Sequence, residues 1–267
     1  MLANYHTHTQ FCDGESTAEE MVISAIEKGF SALGFSGHGY TDFDLSYCMQ
    51  DTDGYIKEIK RLKEKYKKHI QIYLGVEEDG NAPVKNRTDF DYIIGSSHYA
   101  PWKGEYLVID SSPEHFLETF KVFDNDIVKL ADAYYTPFCE YILRRKPDIA
   151  GHFDLITKYD DVFGLGIFED KEYLNVSEKY LDIALGSDCI FEVNTGAIAR
   201  KCRKTPYPYE NLLHLMKKRE GKIILNSDCH FCNGLDFKFS EMRKMLKDIG
   251  FQYVYVLYDN EFGKDWL

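Results

Sequence analysis

A chain of 267 residues that is 44% hydrophobic and 15% aromatic has material for a substantial core, which excludes general disorder. No run approaches the roughly eighteen uninterrupted apolar residues of a membrane helix. A formal net charge of −12 argues against a nucleic-acid binder, which needs a basic face to displace counterions.

Strand-like runs alternate with amphipathic stretches along the whole chain. The runs lie at 2–6, 32–36, 70–76, 92–96, 149–152, 190–194, 222–226 and 253–257. Helix-like stretches lie between them. The first, 17–28, opens with Ser16-Thr17 and the acidic pair Glu19-Glu20, an N-cap followed by first-turn carboxylates. The second, 55–68, sets Ile56, Ile59, Leu62 and Tyr66 on one face and lysines on the other. Ser112-Pro113 opens a long helical region of two helices that reaches Arg145 before Pro147 stops it. Stretches at 172–185, 208–219 and 240–249 complete the set. The alternation predicts parallel βαβ units, and this many in one chain suit a closed β/α barrel spanning 1–267 as a single domain.

Seven cysteines, Cys12, Cys48, Cys139, Cys189, Cys202, Cys229 and Cys232, do not suit a disulfide framework. They read as free thiols of a reducing compartment. Cys229 and Cys232 have half the spacing of a structural zinc site, with no second pair to complete it. With no basic region and apolar stretch at the N-terminus, the expected location is the cytoplasm.

Nine histidines are present. His69, His115 and His214 fall in or beside helical stretches, whereas His6, His8, His38, His98, His152 and His230 each follow a strand-like run. In a β/α barrel those strand ends converge on the face that carries chemistry. Glu77 and Asp228 follow strands in the same way, and Asp13 lies in the loop after the first. Imidazole mixed with carboxylate suits zinc, manganese or iron. His6 and His8 alternate around Thr7, so an extended chain points both rings to one face, and Asp228 and His230 repeat that spacing. Singly these features are commonplace in turns and caps. Nine such groups crowded at one barrel end would be costly without cations.

The ordered motifs His6-Thr7-His8-Thr9, Asp13-Gly14, Ser36-Gly37-His38, Gly75-Val76-Glu77, Gly95-Ser96-Ser97-His98, Gly151-His152, Glu192-Val193-Asn194-Thr195 and Asn226-Ser227-Asp228-Cys229-His230 resemble the PHP (polymerase and histidinol phosphatase) family. The likeness is greatest to its stand-alone histidinol-phosphate phosphatases. It implies a distorted (β/α)7 TIM-like barrel, so one of the eight runs is surplus, with 253–257 either that run or the closing strand. It further implies three divalent metals. His6, His8, Glu77 and Asp228 would hold the first; Glu77, His98 and His152 the second, with Glu77 bridging; Asp13, His38 and His230 the third. Some relatives carry histidine in place of Asp13, and a smaller residue than Cys229 is common between the Asp and His.

On that likeness the expected reaction is hydrolysis of L-histidinol phosphate, in histidine biosynthesis, by a hydroxide bridging two metals. The cations would also supply the positive field that an acidic chain otherwise lacks. Asp228 and His230 are the two candidates for protonating the leaving alkoxide. Arg200, then Lys158, are the expected phosphate contacts. Asp42, Asp44 and Asp110 are all candidates to receive the substrate ammonium. The expected partner is therefore a small phosphomonoester, with neither nucleic acid nor membrane. The rival readings are another phosphoesterase of the family, acting on a different small ester or a nucleotide, and a metal-dependent amidohydrolase. The latter typically uses a carboxylated lysine where this chain has Glu77.

Overall fold

The computed structural model describes residues 1–267. In chain order its elements are β1 (Ala3–Asn4), α1 (Ala18–Glu27), β2 (Ala32–Phe35), α2 (Thr52–Tyr66), β3 (Gln71–Asp79), β4 (Tyr92–Ser96), β5 (Tyr99–Trp102), β6 (Glu105–Val108), α3 (Pro113–Val122), α4 (Ile127–Arg145), β7 (Ile149–Ala150), α5 (Asp160–Phe163), α6 (Lys171–Leu185), β8 (Ile190–Asn194), α7 (Gly196–Ala199), α8 (Glu210–Lys218), β9 (Ile223–Asn226), α9 (Phe239–Ile249), β10 (Tyr253–Tyr258) and β11 (Glu261–Trp266). Local chemistry sets several boundaries. The Thr17 hydroxyl accepts from the Glu20 amide while the Glu20 carboxylate accepts from the Thr17 amide, which satisfies two free donors at the start of α1. Ser112 caps α3 with Pro113 in its first turn, and Asp126 caps α4. Between those helices Asp124 and Asn125 take left-handed backbone, which turns the chain sharply.

Seven parallel strands run in the order β1-β2-β3-β4-β7-β8-β9. The ring closes through a parallel bridge between Thr7 and Cys229, where the His8 amide donates to the Cys229 carbonyl at 2.9 Å. Across the same seam the Tyr5 amide donates to Asn226 Oδ1 at 2.9 Å, and Asn4 Nδ2 donates to Ser227 Oγ at 2.7 Å. The seven-stranded α/β barrel is therefore present, and the surplus run is β10. It meets β9 in register at Tyr255 and Ile224, and pairs along its whole length with antiparallel β11. This hairpin plugs the N-terminal end of the barrel. Val256 and Leu257 pack with Tyr5, Tyr73, Tyr92 and Ile149, and the Tyr5 hydroxyl donates to the Leu257 carbonyl at 2.7 Å.

Tyr92 fills the barrel's interior beneath the strand ends and donates to the carbonyls of Tyr5 and Phe35. A Cβ at Gly75 would come within 2.2 Å of its ring, so this close approach requires glycine. Two features depart from the expected elements. The β5–β6 hairpin, which crosses outside the ring, turns at Lys103 and Gly104, both at positive φ (49° and 88°). Pro101 in its first strand conceals it from a pattern search. Likewise β11 carries Glu261, Gly263, Lys264 and Asp265, the composition of a solvent-exposed edge.

Candidate metal centre

All nine expected ligands gather at the C-terminal end of the barrel. The extended segment after β1 supplies His6 and His8, the loop beyond supplies Asp13, and the segment after β2 supplies His38. Glu77 lies within β3, His98 and His152 follow β4 and β7, and Asp228 and His230 follow β9. His69, His115 and His214 are exposed elsewhere. The alternation argument holds for His6 and His8, whose Nε2 atoms lie 3.1 and 3.5 Å from Glu77 Oε2. It does not hold for Asp228, whose φ of 49° is left-handed rather than extended. That turn separates Asp228 from His230, sending them to different groups of donors.

Glu77 organises the centre. Its Oε2 faces His6 and His8, and also His38 Nδ1 at 3.0 Å. Its Oε1 faces His152 Nε2 at 2.9 Å and His98 Nε2 at 3.4 Å. Asp228 Oδ1 lies 3.7 Å from His6 Nε2 and 3.3 Å from His8 Nε2. Asp13 Oδ2 lies 3.2 Å from His230 Nε2 and 3.7 Å from His38 Nε2, with Oδ1 3.6 Å from His8 Nδ1. Four sets of these donors are close enough to share a cation: His8, Asp13, His38 and His230; His6, His8 and Asp228; His6, Glu77 and His152; His38, Glu77 and His98.

The residues fit metals on physical grounds. His6 Nε2, His8 Nε2 and Glu77 Oε2 are buried without a hydrogen-bond partner, an expensive arrangement unless something else is coordinated. Ligand atoms about 2.0–2.2 Å from a tetrahedral cation are separated by about 3.3–3.6 Å. The distances from His6 and His8 to Glu77 and Asp228, 3.1–3.7 Å, bracket that spacing, although the set of His6, His8 and Asp228 does not take in Glu77. Burial, reinforced by His230 and His38, pushes His8 down to about 3 and leaves it a neutral, ligand-ready imidazole. Burial opposes charge on Glu77, yet His6, His38 and His98 hold its carboxyl well below the usual range. Burial opposes charge on Asp228 too, and Arg200 does most to hold it ionised.

Two supporting carboxylates have no role in the sequence reading, where Glu192 stands only within a motif and Asp79 is not mentioned. Glu192, fully buried in β8, accepts from His6 Nδ1 (2.6 Å) and Asn226 Nδ2 (3.0 Å) on Oε1, and from the His152 amide (3.0 Å) and Asn194 Nδ2 (2.8 Å) on Oε2. Asp79 Oδ2 accepts from the His98 amide at 3.0 Å and faces His98 Nδ1 at 3.2 Å. Each carboxylate orients a ring whose other nitrogen faces Glu77. A signal was available: a charge inside the apolar run 190–194, and Asp79 on the same face of a strand as Glu77.

The cluster forms the floor of a cavity of roughly 430 Å³, the scale of a small molecule. Arg200 and Lys158 both line it. Arg200 Nη2 donates to Asp228 Oδ2 at 2.8 Å and Nη1 to the Asp228 carbonyl at 3.2 Å. Lys158 Nζ donates to the carbonyl and carboxylate of Asp110 at 2.7 and 3.2 Å. Asp44 and Asp110 also line the cavity; Asp42 is exposed and does not.

No helix is long and apolar enough to cross a membrane. The chain is similar to a Schizosaccharomyces pombe protein named probable histidinol-phosphatase, 28% identical over 86% of this chain and 81% of that one. It is 22% identical to the histidinol-phosphatase of Bacillus subtilis, over 88% and 95% of the two chains. It shares its fold with the Lactococcus lactis histidinol phosphate phosphatase solved with zinc, L-histidinol and phosphate, at a TM-score of 0.72 and 19% identity over 98% of this chain and 99% of the other. The PHP domain model matches residues 4–196, a span that holds seven of the nine clustered groups and stops short of Asp228 and His230. A match over most of the chain, joined to strand ends that converge as described, places this protein in the PHP domain family.

Proposed function

We propose that the protein is a metal-dependent phosphatase that hydrolyses L-histidinol phosphate to L-histidinol and phosphate. The observation that carries this reading is Glu77: one buried carboxylate whose two oxygens face two separate sets of imidazoles, as a ligand shared between neighbouring cations would. The relatives named above supply the substrate. Asp13, His38 and His230 form a third donor set beside the first two, so the proposed complement is three divalent ions, zinc, manganese or iron. Residues 1–267 are read as one catalytic unit.

Bound cations would activate a water and neutralise phosphoryl oxygens as charge builds in the transition state. The chain's own groups do the remainder. Glu192 and Asp79 fix His6 and His98 so that each presents its Nε2 inward. Arg200 holds Asp228 while facing the cavity, placed to bind a phosphate oxygen with its remaining N–H groups. Lys158, half engaged by Asp110, is the second such contact. Asp228 and His230 both line the cavity and are the two groups placed to pass a proton to the leaving oxygen. Three divalent ions set against five carboxylates (Asp13, Glu77, Asp79, Glu192 and Asp228) leave about one positive charge, and Arg200 adds another. The acidic chain would thus present a local cationic site. Lys158 is the one lysine on the cavity, and its tie to Asp110 disfavours an amidohydrolase-type carboxylated lysine.

The test is elemental analysis of chelator-free protein together with turnover of histidinol phosphate, other phosphomonoesters and single-stranded DNA. Two or more ions per chain and preferred turnover of histidinol phosphate are expected. One ion or fewer refutes the multinuclear assignment, and faster cleavage of DNA refutes the substrate assignment.

A further inference from the structure

The cavity's outer wall is built from elements that the metal centre does not use. The segment between β2 and α2 carries Asp44 and Tyr47, and the β5–β6 hairpin carries Tyr99 and Val108; all four line the cavity. Tyr47 spans the gap between floor and wall, its ring centroid 4.7 Å from that of His38 and 6.4 Å from that of Tyr99. Phe43 and Tyr106 back Tyr99 at 5.1 and 6.3 Å. The wall is therefore aromatic and adjacent to the floor of candidate ligands.

Its charges are unevenly satisfied. Arg200 is committed to Asp228 and Lys158 to Asp110, so both basic side chains on the cavity already face carboxylates. Glu15 also lines the cavity, exposed beside Asp13 in the loop after β1. Asp44 has neutral donors alone: Ser46 amide and hydroxyl on Oδ1 at 3.0 and 2.6 Å, and the Tyr99 hydroxyl on Oδ2 at 2.8 Å. Oδ2 thus keeps a free lone pair, and Asp110 nearby adds negative potential. A second sign of an unfilled partner is Tyr47 Oη, which is buried without a hydrogen-bond partner. A carboxylate without a cation, among aromatic faces, suits a primary ammonium next to a planar ring.

We propose that Asp44, flanked by Tyr47 and Tyr99, binds the protonated amine of the phosphate ester and selects amine-bearing substrates over neutral ones. This deepens the phosphatase reading and rests on it. Asp44→Asn can keep its oxygen as the acceptor for Ser46 and turn its amide NH2 to donate to the Tyr99 hydroxyl, so both contacts survive while the charge is removed. The experiment compares kcat/KM for histidinol phosphate with that for p-nitrophenyl phosphate in metal-loaded wild type, Asp44→Asn and, as a matched surface charge change, Asp42→Asn. Losing one charge-assisted hydrogen bond should lower the ratio of the two values about tenfold or more in Asp44→Asn, chiefly through KM for the amine ester. The ratio in Asp42→Asn should equal that of wild type. An unchanged ratio in Asp44→Asn, or an equal fall in Asp42→Asn, overturns the assignment. Wild type inactive on both esters would instead overturn the phosphatase reading, and this inference with it.

Discussion

Replacing Glu192 with Gln changes one oxygen into an amide and leaves volume almost untouched, so its consequences can be worked out donor by donor. The carboxylate accepts four bonds, two on each oxygen, all from groups that are donors. With the new amide on the Oε2 side, it confronts the His152 amide and Asn194 Nδ2, neither of which can accept. On the Oε1 side it confronts Asn226 Nδ2 and forces His6 Nδ1 to become an acceptor. The His6 proton then moves to Nε2, the nitrogen aimed at Glu77 and Asp228. On the Oε2 side the amide forfeits two bonds to the carboxylate, and on the Oε1 side it forfeits one and turns the other round, all at a fully buried site. In the less costly orientation, at about 1.5–3 kcal/mol for the lost bond to a charged group and about 1 kcal/mol for the reversed one, the loss is about 2.5–4 kcal/mol. In a chain of this length that lowers Tm by about 5–15 °C. Metal affinity should fall about 10–100-fold, the usual cost of losing an outer partner of a ligating imidazole. Thermal melts and competition with a chromophoric chelator measure the two effects separately. Wild-type metal affinity in a destabilised variant would show that Glu192 supports the barrel without tuning His6, and no change in either would refute the reasoning.

Glu77→Gln should release metal and abolish nearly all turnover, read by elemental analysis and phosphate release; an unchanged rate would eliminate the shared-ligand role. Arg200→Ala should raise KM for phosphate esters with little change in unfolding midpoint, and wild-type kinetics would make Arg200 a mere partner of Asp228. Gly75→Ala drives a methyl into the Tyr92 ring and should cost about 1–3 kcal/mol in urea unfolding; an equal midpoint would mean that the ring can yield.

The ring of strands and its ligands could be read in the sequence because each β/α unit repeats one grammar: a short apolar run, then a metal-type side chain. His38, His98 and His152 are found that way. What the grammar omits is chemistry acting within a strand or outside the ring. Glu192 looks like an ordinary residue of a buried strand until its four donors are seen. Tyr99, which anchors Asp44, belongs to a hairpin interrupted by Pro101. β11 is hydrophilic because it faces solvent, so hydrophobic patterning cannot reveal it. The ambiguity over 253–257 was topological: the run is a true strand, and what excludes it from the ring is the Thr7–Cys229 bridge.

That bridge has a consequence for how the molecule holds together. The first and last strands of the ring meet through few backbone bonds, and close by lie His6 and His8 from one end of the chain and Asp228 from the other. A cation gripped by these three residues would act as a clasp on the barrel, closing a loop of more than 200 residues that backbone pairing fastens only lightly. Metal occupancy and barrel closure then become one equilibrium. Stripping the metal should loosen the seam first, opening the chain where its two ends are buttoned together and leaving the rest of the ring for later.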